Sequence, residues 1–342
     1  YEITTRLVGS EMCIRDSVLT EPEKLEQYQT DEETDPRKFH LPEAVVLPKD
    51  AQEIAAVIKL ANTYDVPVTV RSGGTSLAGG AIPVCGGIVL LMERLNKIIE
   101  LNAEGMYMEV EAGVRTVDIQ KYANEAGFLY AGDPCSAESC LIGGNIATNA
   151  GGNKAVRYGV TRDQVYAVEV VTPTGEIVEL GARLKKKSTG YCLEQLIMGS
   201  EGTLGIITKA TLKLQPIPPY RFDLLAVFSD PEQALDVVPK IMQAGINPTS
   251  VEYMDNSYVR GTADYLEFKG APHYENGIYV IITVETFSED ELDLKMEQLD
   301  ELCSAAGAVD VLEADERIWD MRRNCPVSYT HLRAHETRSN LV

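Results

Sequence analysis

Residues Leu141–Thr161 read LIGGNIATNAGGNKAVRYGVT, two Gly-Gly pairs set among Asn, Thr and small apolar residues. Two more stretches share that character: Arg71–Gly80, RSGGTSLAGG, and Gly199–Pro218, GSEGTLGIITKATLKLQPIP. Glycine lets the main chain approach a ligand closely, and runs of exposed backbone N–H groups form concavities that bind anions. Tight turns also use glycine, and one such stretch alone would be equally well explained by them. Three of them, each beside a strand-like run and without tandem repetition, favour a nucleotide cofactor. Two standard nucleotide loops are absent. No GxxxxGK[ST] occurs, and RSGGTSLAGG has neither the GxGxxG spacing nor the helix start after it.

Outward from these stretches, the pattern alternates strands and helices. Ala44–Leu47 is strand-like, and Asp50 with Glu53 forms a capping box for a helix whose Ile54, Val57, Ile58 and Ala61 make one buried stripe. Pro67–Arg71 and Ile88–Met92 are predicted strands, and Lys97–Leu101 with Met106–Glu111 a hairpin. Thr116–Ala126 is a predicted helix stopped by Gly127. Val165–Thr172 and Glu176–Leu180 pair around Pro173-Thr174-Gly175. Pro216, Pro218 and Pro219 mark a domain boundary. Beyond it the order is strand (Phe222–Phe228), helix (Pro231–Ala244), strands (Ser250–Met254, Gly277–Glu285), helix (Ser288–Ala306), strand (Ala308–Leu312) and a further helix from Asp315. That β-α-β-β-α-β order predicts a ferredoxin-like sheet with helices on one face.

The 342 residues suit roughly two domains of ~150 residues each. The charge of −21, from 31 Lys and Arg against 52 Asp and Glu, excludes a broad basic face for a nucleic-acid backbone. No apolar run approaches the ~20 residues of a membrane span. Seven cysteines without a CxxC suggest neither a disulfide framework nor a zinc ribbon. The expectation is a soluble, reduced, cytoplasmic protein.

The two ends stand apart. Leu7–Asp16 reads LVGSEMCIRD and Val327–Glu336 reads VSYTHLRAHE. Written in the codons CTC GTG GGC TCG GAG ATG TGT ATA AGA GAC, the first has a reverse complement that translates into the second in full. Unrelated natural ends would not share that relation through the genetic code. Residues 1–17 and 327–342 are therefore read as foreign, resembling a translated transposon adapter, and are set aside from fold reasoning. Their four arginines and four acidic residues cancel, so the −21 belongs to residues 18–326.

RSGGTSLAGG, the stretch from Asp133-Pro134 through IGGNIATNAGG, and GSEGTLGIIT together resemble the vanillyl-alcohol-oxidase-type (VAO/PCMH) FAD-binding superfamily. Within it they are most similar to the FAD-linked D-2-hydroxyacid dehydrogenase and oxidase branch, with its glycolate oxidase, D-lactate dehydrogenase and D-2-hydroxyglutarate dehydrogenase members. The resemblance implies an α+β architecture: a PCMH-type, two-subdomain FAD-binding domain over 18–218, then a ferredoxin-like α+β cap over 219–326 that is incomplete.

It further implies that Arg71, Ser72, Gly73, Gly74, Thr75 and Ser76 cradle the FAD diphosphate through backbone amides. Pro134 and Ser136 would lie near the flavin and ribityl chain. Gly143, Gly144, Ala147, Thr148, Ala150 and Gly151 would line the cofactor, and Glu201, Gly202, Gly205 and Ile206 would form the adenine-side turn. Some relatives attach the flavin to a histidine of the first glycine loop. Thr75 stands at that position here, so non-covalent FAD is expected. Arg322, in Ile318–Asn324 (IWDMRRN), matches an arginine that pairs with the substrate carboxylate in a W-x-x-R segment. The family's catalytic histidine and divalent-metal ligands lie after that segment, so both are expected only in a C-terminal part not matched here, and turnover by residues 18–326 alone is expected to be weak or absent.

The activity implied is oxidation of a D-2-hydroxyacid such as glycolate or D-lactate, with hydride passing to flavin N5. Electrons would leave to an iron–sulfur subunit, an electron-transfer flavoprotein or a quinone. The alternatives are another flavoenzyme of the superfamily, of ether-lipid synthase or aldonolactone oxidase type, and a non-catalytic flavin-binding subunit. Lys185–Lys187 read as a solvated charge run, Cys135 and Cys140 as ordinary thiols, His273 as a surface or packing residue and Trp319 as cap core.

Overall fold

The computed structural model describes residues 17–32 and 35–325; the adapter-like segments lie outside the described residues except for Ser17. The chain divides into two compact units. Of the described residues, the first holds those up to Gly152 and Gly159–Ile217, and the second holds Asn153–Tyr158 and those from Pro218 on.

The first unit contains two principal sheets. Strands β1 (Val18–Leu19), β2 (Ala44–Val46), β3 (Val68–Arg71) and β4 (Ile88–Leu91) form one, in the order β1-β2-β4-β3. β4 pairs parallel with both β2 and β3, while β1 runs antiparallel at the edge. Every residue of β2 and β4 is buried, as expected of a sheet covered on both faces. Helix α1 (Ala51–Tyr64) provides part of that cover through Ile54, Val57, Ile58 and Ala61. It starts where Asp50 accepts a 2.9 Å hydrogen bond from the Glu53 amide.

The other sheet is antiparallel, from β5 (Ile98–Asn102), β6 (Tyr107–Glu111), β8 (Val165–Val171), β9 (Ile177–Gly181) and β10 (Ile206–Lys213) in the order β5-β6-β10-β8-β9. A small ribbon pairs β7 (Phe128–Leu129) with β11 (Gln215–Pro216). Helix α2 (Thr116–Glu125) buries Thr116, Ile119 and Ala123. Lys187 is not a free surface charge. Its Nζ donates to Glu194 Oε1 at 2.6 Å and to the Tyr166 carbonyl at 2.8 Å, and Glu194 is 3% exposed.

The second unit is built on β12 (Tyr220–Phe228), β13 (Ser250–Met254), β14 (Ile278–Thr286) and β15 (Asp310–Glu313), all antiparallel, in the order β13-β14-β12-β15. That is the ferredoxin-like order. The helices, however, cover both faces. Helices Pro231–Gln243 and Glu289–Ala305 pack with Leu224, Ala226, Val280 and Ile282 on one face. Helices Asn256–Tyr265 and 316–325 pack with Leu225, Val227, Tyr279 and Ile281 on the other. The reason is β14, buried at every position, which leaves neither face for solvent. Trp319 sits in the second of these cores, 7% exposed.

Candidate functional site: a cleft walled by the three glycine-rich stretches

In the first unit, the end of β3 runs into a turn at Ser72–Ser76 that forms one wall of a cleft of about 1010 Å³, counted to its open mouth. The other walls come from residues 136–150 and from Glu201–Ile207 before and within β10. Of the residues implied by the resemblance, Ser72, Gly73, Gly74, Thr75, Ser76, Ser136, Gly143, Gly144, Ala147, Thr148, Ala150, Glu201, Gly202, Gly205 and Ile206 all line it. Arg71, Pro134 and Gly151 do not. The Arg71 guanidinium turns away, donates to the Thr30 carbonyl and lies 5.8 Å from the Tyr28 ring. Burial lowers its pKa, with Asp31 as the first opposing charge. Arg71 therefore supports the turn from behind.

The consecutive amides of Gly73, Gly74, Thr75 and Ser76 donate to no protein acceptor among the described residues. Unpaired amides are costly wherever water is excluded, so such a row in a cleft wall is suited to an anionic ligand. Gly74 needs its φ of +66° for this turn. At Gly73, a Cβ would lie 2.7 Å from the Ser139 carbonyl oxygen. Among the lining residues Glu201 is the one charged side chain, and no lysine or arginine takes part. An anion there is held by backbone dipoles rather than by a cation.

The central glycine pair is not in a loop. Ile142–Thr148 is a helix, α3, whose first turn contains Gly143 and Gly144. A Cβ at Gly143 would approach the Ala112 Cβ to 2.7 Å, and one at Gly144 the Ser72 Cβ to 2.9 Å. Glycine is required because the helix lies directly against neighbouring backbone. Asn149 ends it at φ +50°, and Glu201 holds φ +51° with its amide bonded to the Ala147 carbonyl at 2.9 Å. Left-handed non-glycine residues are uncommon and mark positions held by their surroundings.

Sequence reasoning missed Val70, Gly80, Ala81, Met92, Cys140, Leu141, Asn145 and Ile207, which also line the cleft. Asn145 is 6% exposed, and its Nδ2 donates to Thr116 Oγ1 at 2.6 Å, with the Cys140 sulfur 3.3 Å beyond. An Asn between Gly-Gly and Ile was the available signal. The apolar lining residues carry no signal apart from their place in strands.

The cleft thus offers free amides, glycine walls that let the main chain approach a diphosphate, and apolar lining from Val70, Met92 and Ile207, a donor set that fits FAD. Comparison with known proteins agrees. Residues 42–181 match the FAD binding domain model, and residues 217–337 match the FAD linked oxidases C-terminal domain model. The chain is 36% identical over 316 residues to an uncharacterized FAD-linked oxidoreductase of Mycobacterium tuberculosis, covering 90% of this chain and 67% of that protein. The chain belongs to the FAD-linked oxidase family. Other members are a D-lactate dehydrogenase of Anaerostipes hadrus, 40% identical over 281 residues, and glycolate oxidase subunit GlcD of Bacillus subtilis, 37% identical over 279 residues. These alignments cover 80% and 82% of this chain, but the chain spans only 58% and 59% of those proteins. Among solved structures, p-cresol methylhydroxylase superposes with a TM-score of 0.79 at 18% identity, covering 95% of this chain and 69% of that one. An alkyldihydroxyacetonephosphate synthase superposes at 0.77 and 22%, covering 94% and 64%. The fold of this family member is accordingly the two-subdomain VAO/PCMH type.

Arg322 is in the second unit. Its Nε and Nη2 both meet Glu252 Oε2, at 2.6 and 2.5 Å, and the two side chains are 22% and 13% exposed. In this structure the guanidinium pairs with an internal carboxylate of the same unit. Neither described histidine lines the cleft: His273 lies 3.3 Å from Asp310 in the second unit, and His40 donates its amide to Gln29. Among the described residues no group of three or more His, Cys, Asp or Glu is arranged to hold a metal ion. Among them, too, no helix is long and apolar enough to cross a membrane.

Proposed function

We propose that this chain holds FAD non-covalently in the glycine-walled cleft and serves the oxidation of a D-2-hydroxyacid, glycolate, D-lactate or similar, to the 2-oxoacid. The observation that carries the cofactor half is the row of unpartnered amides at Gly73–Ser76 facing a cleft without a basic side chain. The substrate half is supported by the D-lactate dehydrogenase and glycolate oxidase names of members at 40% and 37% identity. Bound FAD would supply the hydride acceptor. The chain's own contribution is to fix the diphosphate with backbone dipoles, present Asn145 and Ser136 at the wall and exclude water with Val70, Met92 and Ile207. Electrons are proposed to pass to an iron–sulfur subunit, an electron-transfer flavoprotein or a quinone. The divalent-metal ligands and the base are proposed to lie outside the described residues.

Titrating flavin-free protein with FAD tests the first half, and an anaerobic hydroxyacid panel followed at the flavin absorbance tests the second. Bleaching by D-lactate or glycolate, and not by L-lactate, is expected of the full-length protein. FAD binding without bleaching by any hydroxyacid overturns the substrate reading, and no FAD binding overturns both. Acid precipitation should leave the flavin in the supernatant, since Thr75 offers no histidine for attachment.

A further inference from the structure

Two walls of the cleft are tied to one another at the C-terminal end of α3, and both belong to the first unit. The Gly199 amide donates to the Ile146 carbonyl at 3.1 Å, and the Glu201 amide to the Ala147 carbonyl at 2.9 Å. The Glu201 turn thereby closes the end of the helix that carries Ala147 and Thr148. Residues 161–162 are bonded to the same place. The Ala150 carbonyl accepts both the amide of Thr161, at 3.1 Å, and its hydroxyl, at 2.7 Å. The Arg162 amide donates to Asn149 Oδ1 at 2.9 Å.

The Arg162 side chain then reaches the start of the Glu201 turn. Its Nη2 donates to the Met198 carbonyl at 3.2 Å and would lie 3.3 Å from a Cβ at Gly199, which holds φ +85°. The Met198–Gly199 peptide is therefore gripped at both ends, its carbonyl by Arg162 and its N–H by the Ile146 carbonyl. A peptide unit is planar, so two opposed bonds fix its direction and with it the path of the residues that follow. Arg162 does not itself line the cleft. Among the described residues it forms no ion pair, in a chain with 52 acidic residues against 31 basic ones, and its Nε is buried without a hydrogen-bond partner. A part-buried guanidinium with an unpaired N–H and no counter-charge costs stability, and an apolar side chain of similar length would pack as well. What the guanidinium adds, and an apolar chain would not, is the grip on the Met198 carbonyl.

We propose that Arg162 is a positioning residue for the cofactor: by holding the Met198–Gly199 peptide, it aims the Glu201–Gly202 turn into the cleft and keeps it set against Ala147 and Thr148. This rests on the FAD reading above. Loss of one charge-assisted hydrogen bond supports an effect of about tenfold on FAD affinity.

The test compares the full chain with Arg162→Met, which keeps the length and removes the donor, and with Arg162→Lys, which keeps a cationic N–H. Three quantities are measured: the FAD dissociation constant, hydrogen exchange of the 199–202 amides without flavin, and the unfolding midpoint without flavin. Arg162→Met should weaken FAD about tenfold and speed exchange at Gly199 and Glu201, while the midpoint holds or rises. Arg162→Lys should recover part of the affinity. A merely structural residue would give the opposite split, a lower midpoint with an unchanged FAD constant for the folded fraction. That result overturns the proposal, as does an Arg162→Met chain that does not fold. If affinity and midpoint both fall, Arg162→Lys decides: affinity regained without the midpoint upholds the proposal, and the two moving together overturn it. Should the wild-type chain take up no FAD, the cofactor reading itself falls; a wild-type chain that binds FAD beside an Arg162→Met chain of equal affinity removes this proposal alone.

Discussion

Replacing Gly73 by alanine places a methyl group where the protein has no room. Its Cβ would stand 2.7 Å from the Ser139 carbonyl oxygen and 3.3 Å from the Cys140 Cα. Ordinary contact begins near 3.4 Å, so one side must retreat by about 0.7 Å. The 136–140 turn is held by Ser139 and Cys140 amides on the Ser136 carbonyl, at 2.9 and 2.8 Å, and by the Thr116 amide on the Cys140 carbonyl at 3.1 Å. The Gly73–Ser76 turn has no comparable bonds from its amides, so it yields. A displacement of that size stretches an amide–phosphate bond from ~2.9 Å to ~3.6 Å, beyond hydrogen-bonding range. Overpacking of this kind costs about 1–3 kcal/mol, or roughly 5- to 150-fold in affinity. Fluorescence titration of flavin-free Gly73→Ala with FAD should show that loss while the unfolding midpoint moves little, since the strain is taken by a turn whose own amides bond no protein acceptor. Gly74→Ala is the graded comparison. There the φ of +66° costs a non-glycine residue about 1 kcal/mol, and the new methyl group would also press into the Arg71 guanidinium, which the Thr30 carbonyl and the Tyr28 ring hold in place. Its loss should be at least as large. Gly73→Ala with wild-type affinity would refute the assignment of these amides to the diphosphate.

Four further outcomes follow from burial and partners seen in the structure. Among the described cysteines, Cys85, Cys135 and Cys192 are exposed and should be alkylated at pH 8, with Cys140, Cys303 and Cys325 protected until unfolding, as mass spectrometry would read. Burial pushes the Cys303 thiol up to about 12 from 9, so the folded state holds its proton more tightly than the unfolded one. That stabilisation is complete below pH 9 and is lost as pH rises toward 12; by pH 10 wild type should have lost about 1 kcal/mol more than Cys303→Ala, measured by urea unfolding at pH 8 and 10. Lys187→Met leaves Glu194 buried without its cation and should cost about 2 kcal/mol in the same assay, below the full value for a buried pair because Lys187 is 22% exposed. Arg322→Ala likewise strands Glu252 and should lower stability by about 1–2 kcal/mol, whereas Arg322→Ala together with Glu252→Gln should recover part of it.

Elements with strong local signals were legible. The Val165–Thr172 and Glu176–Leu180 hairpin appears as β8 and β9 with Val171 opposite Ile177, because a Pro-Thr-Gly turn and alternating residues specify register. The Asp50 cap and the Ile54 stripe did the same for α1. Two of the helices that were not legible show why. Ile142–Thr148 opens with glycines that disfavour helix by propensity, and it forms because Ala112 and Ser72 leave room only for a glycine surface. Asn256–Tyr265 contains Gly261 and buries only Val259, Thr262 and Ala263, too narrow a stripe to announce itself; its start is set by the Asp255 carboxylate accepting the Tyr258 amide at 3.1 Å. The Arg322–Glu252 ion pair was not legible. Glu252 lies 70 positions before Arg322, on β13, and no spacing rule reaches that far.

The glycine pattern that marks the cleft therefore combines two physical demands that look identical in a sequence. Gly143 and Gly144 are glycine because protein presses on them, at Ala112 and Ser72, and Gly73 because Ser139 does. Gly74 is glycine because its φ is positive. None of these four is explained first by the bulk of a ligand. The ligand enters through what the packing leaves over: with Gly73 set against the Ser139 backbone and Ser72 against the α3 helix, the amides of Gly73–Ser76 bond no protein acceptor, which leaves them to water or an anion. Close packing of backbone on backbone is thus what leaves free donors in a wall without a single lysine or arginine, in a chain whose net charge is −21. A phosphate-binding cleft in so acidic a protein is consistent on those terms, because fixed dipoles at contact distance act locally while the distant carboxylates are screened beyond ~10 Å at ordinary ionic strength.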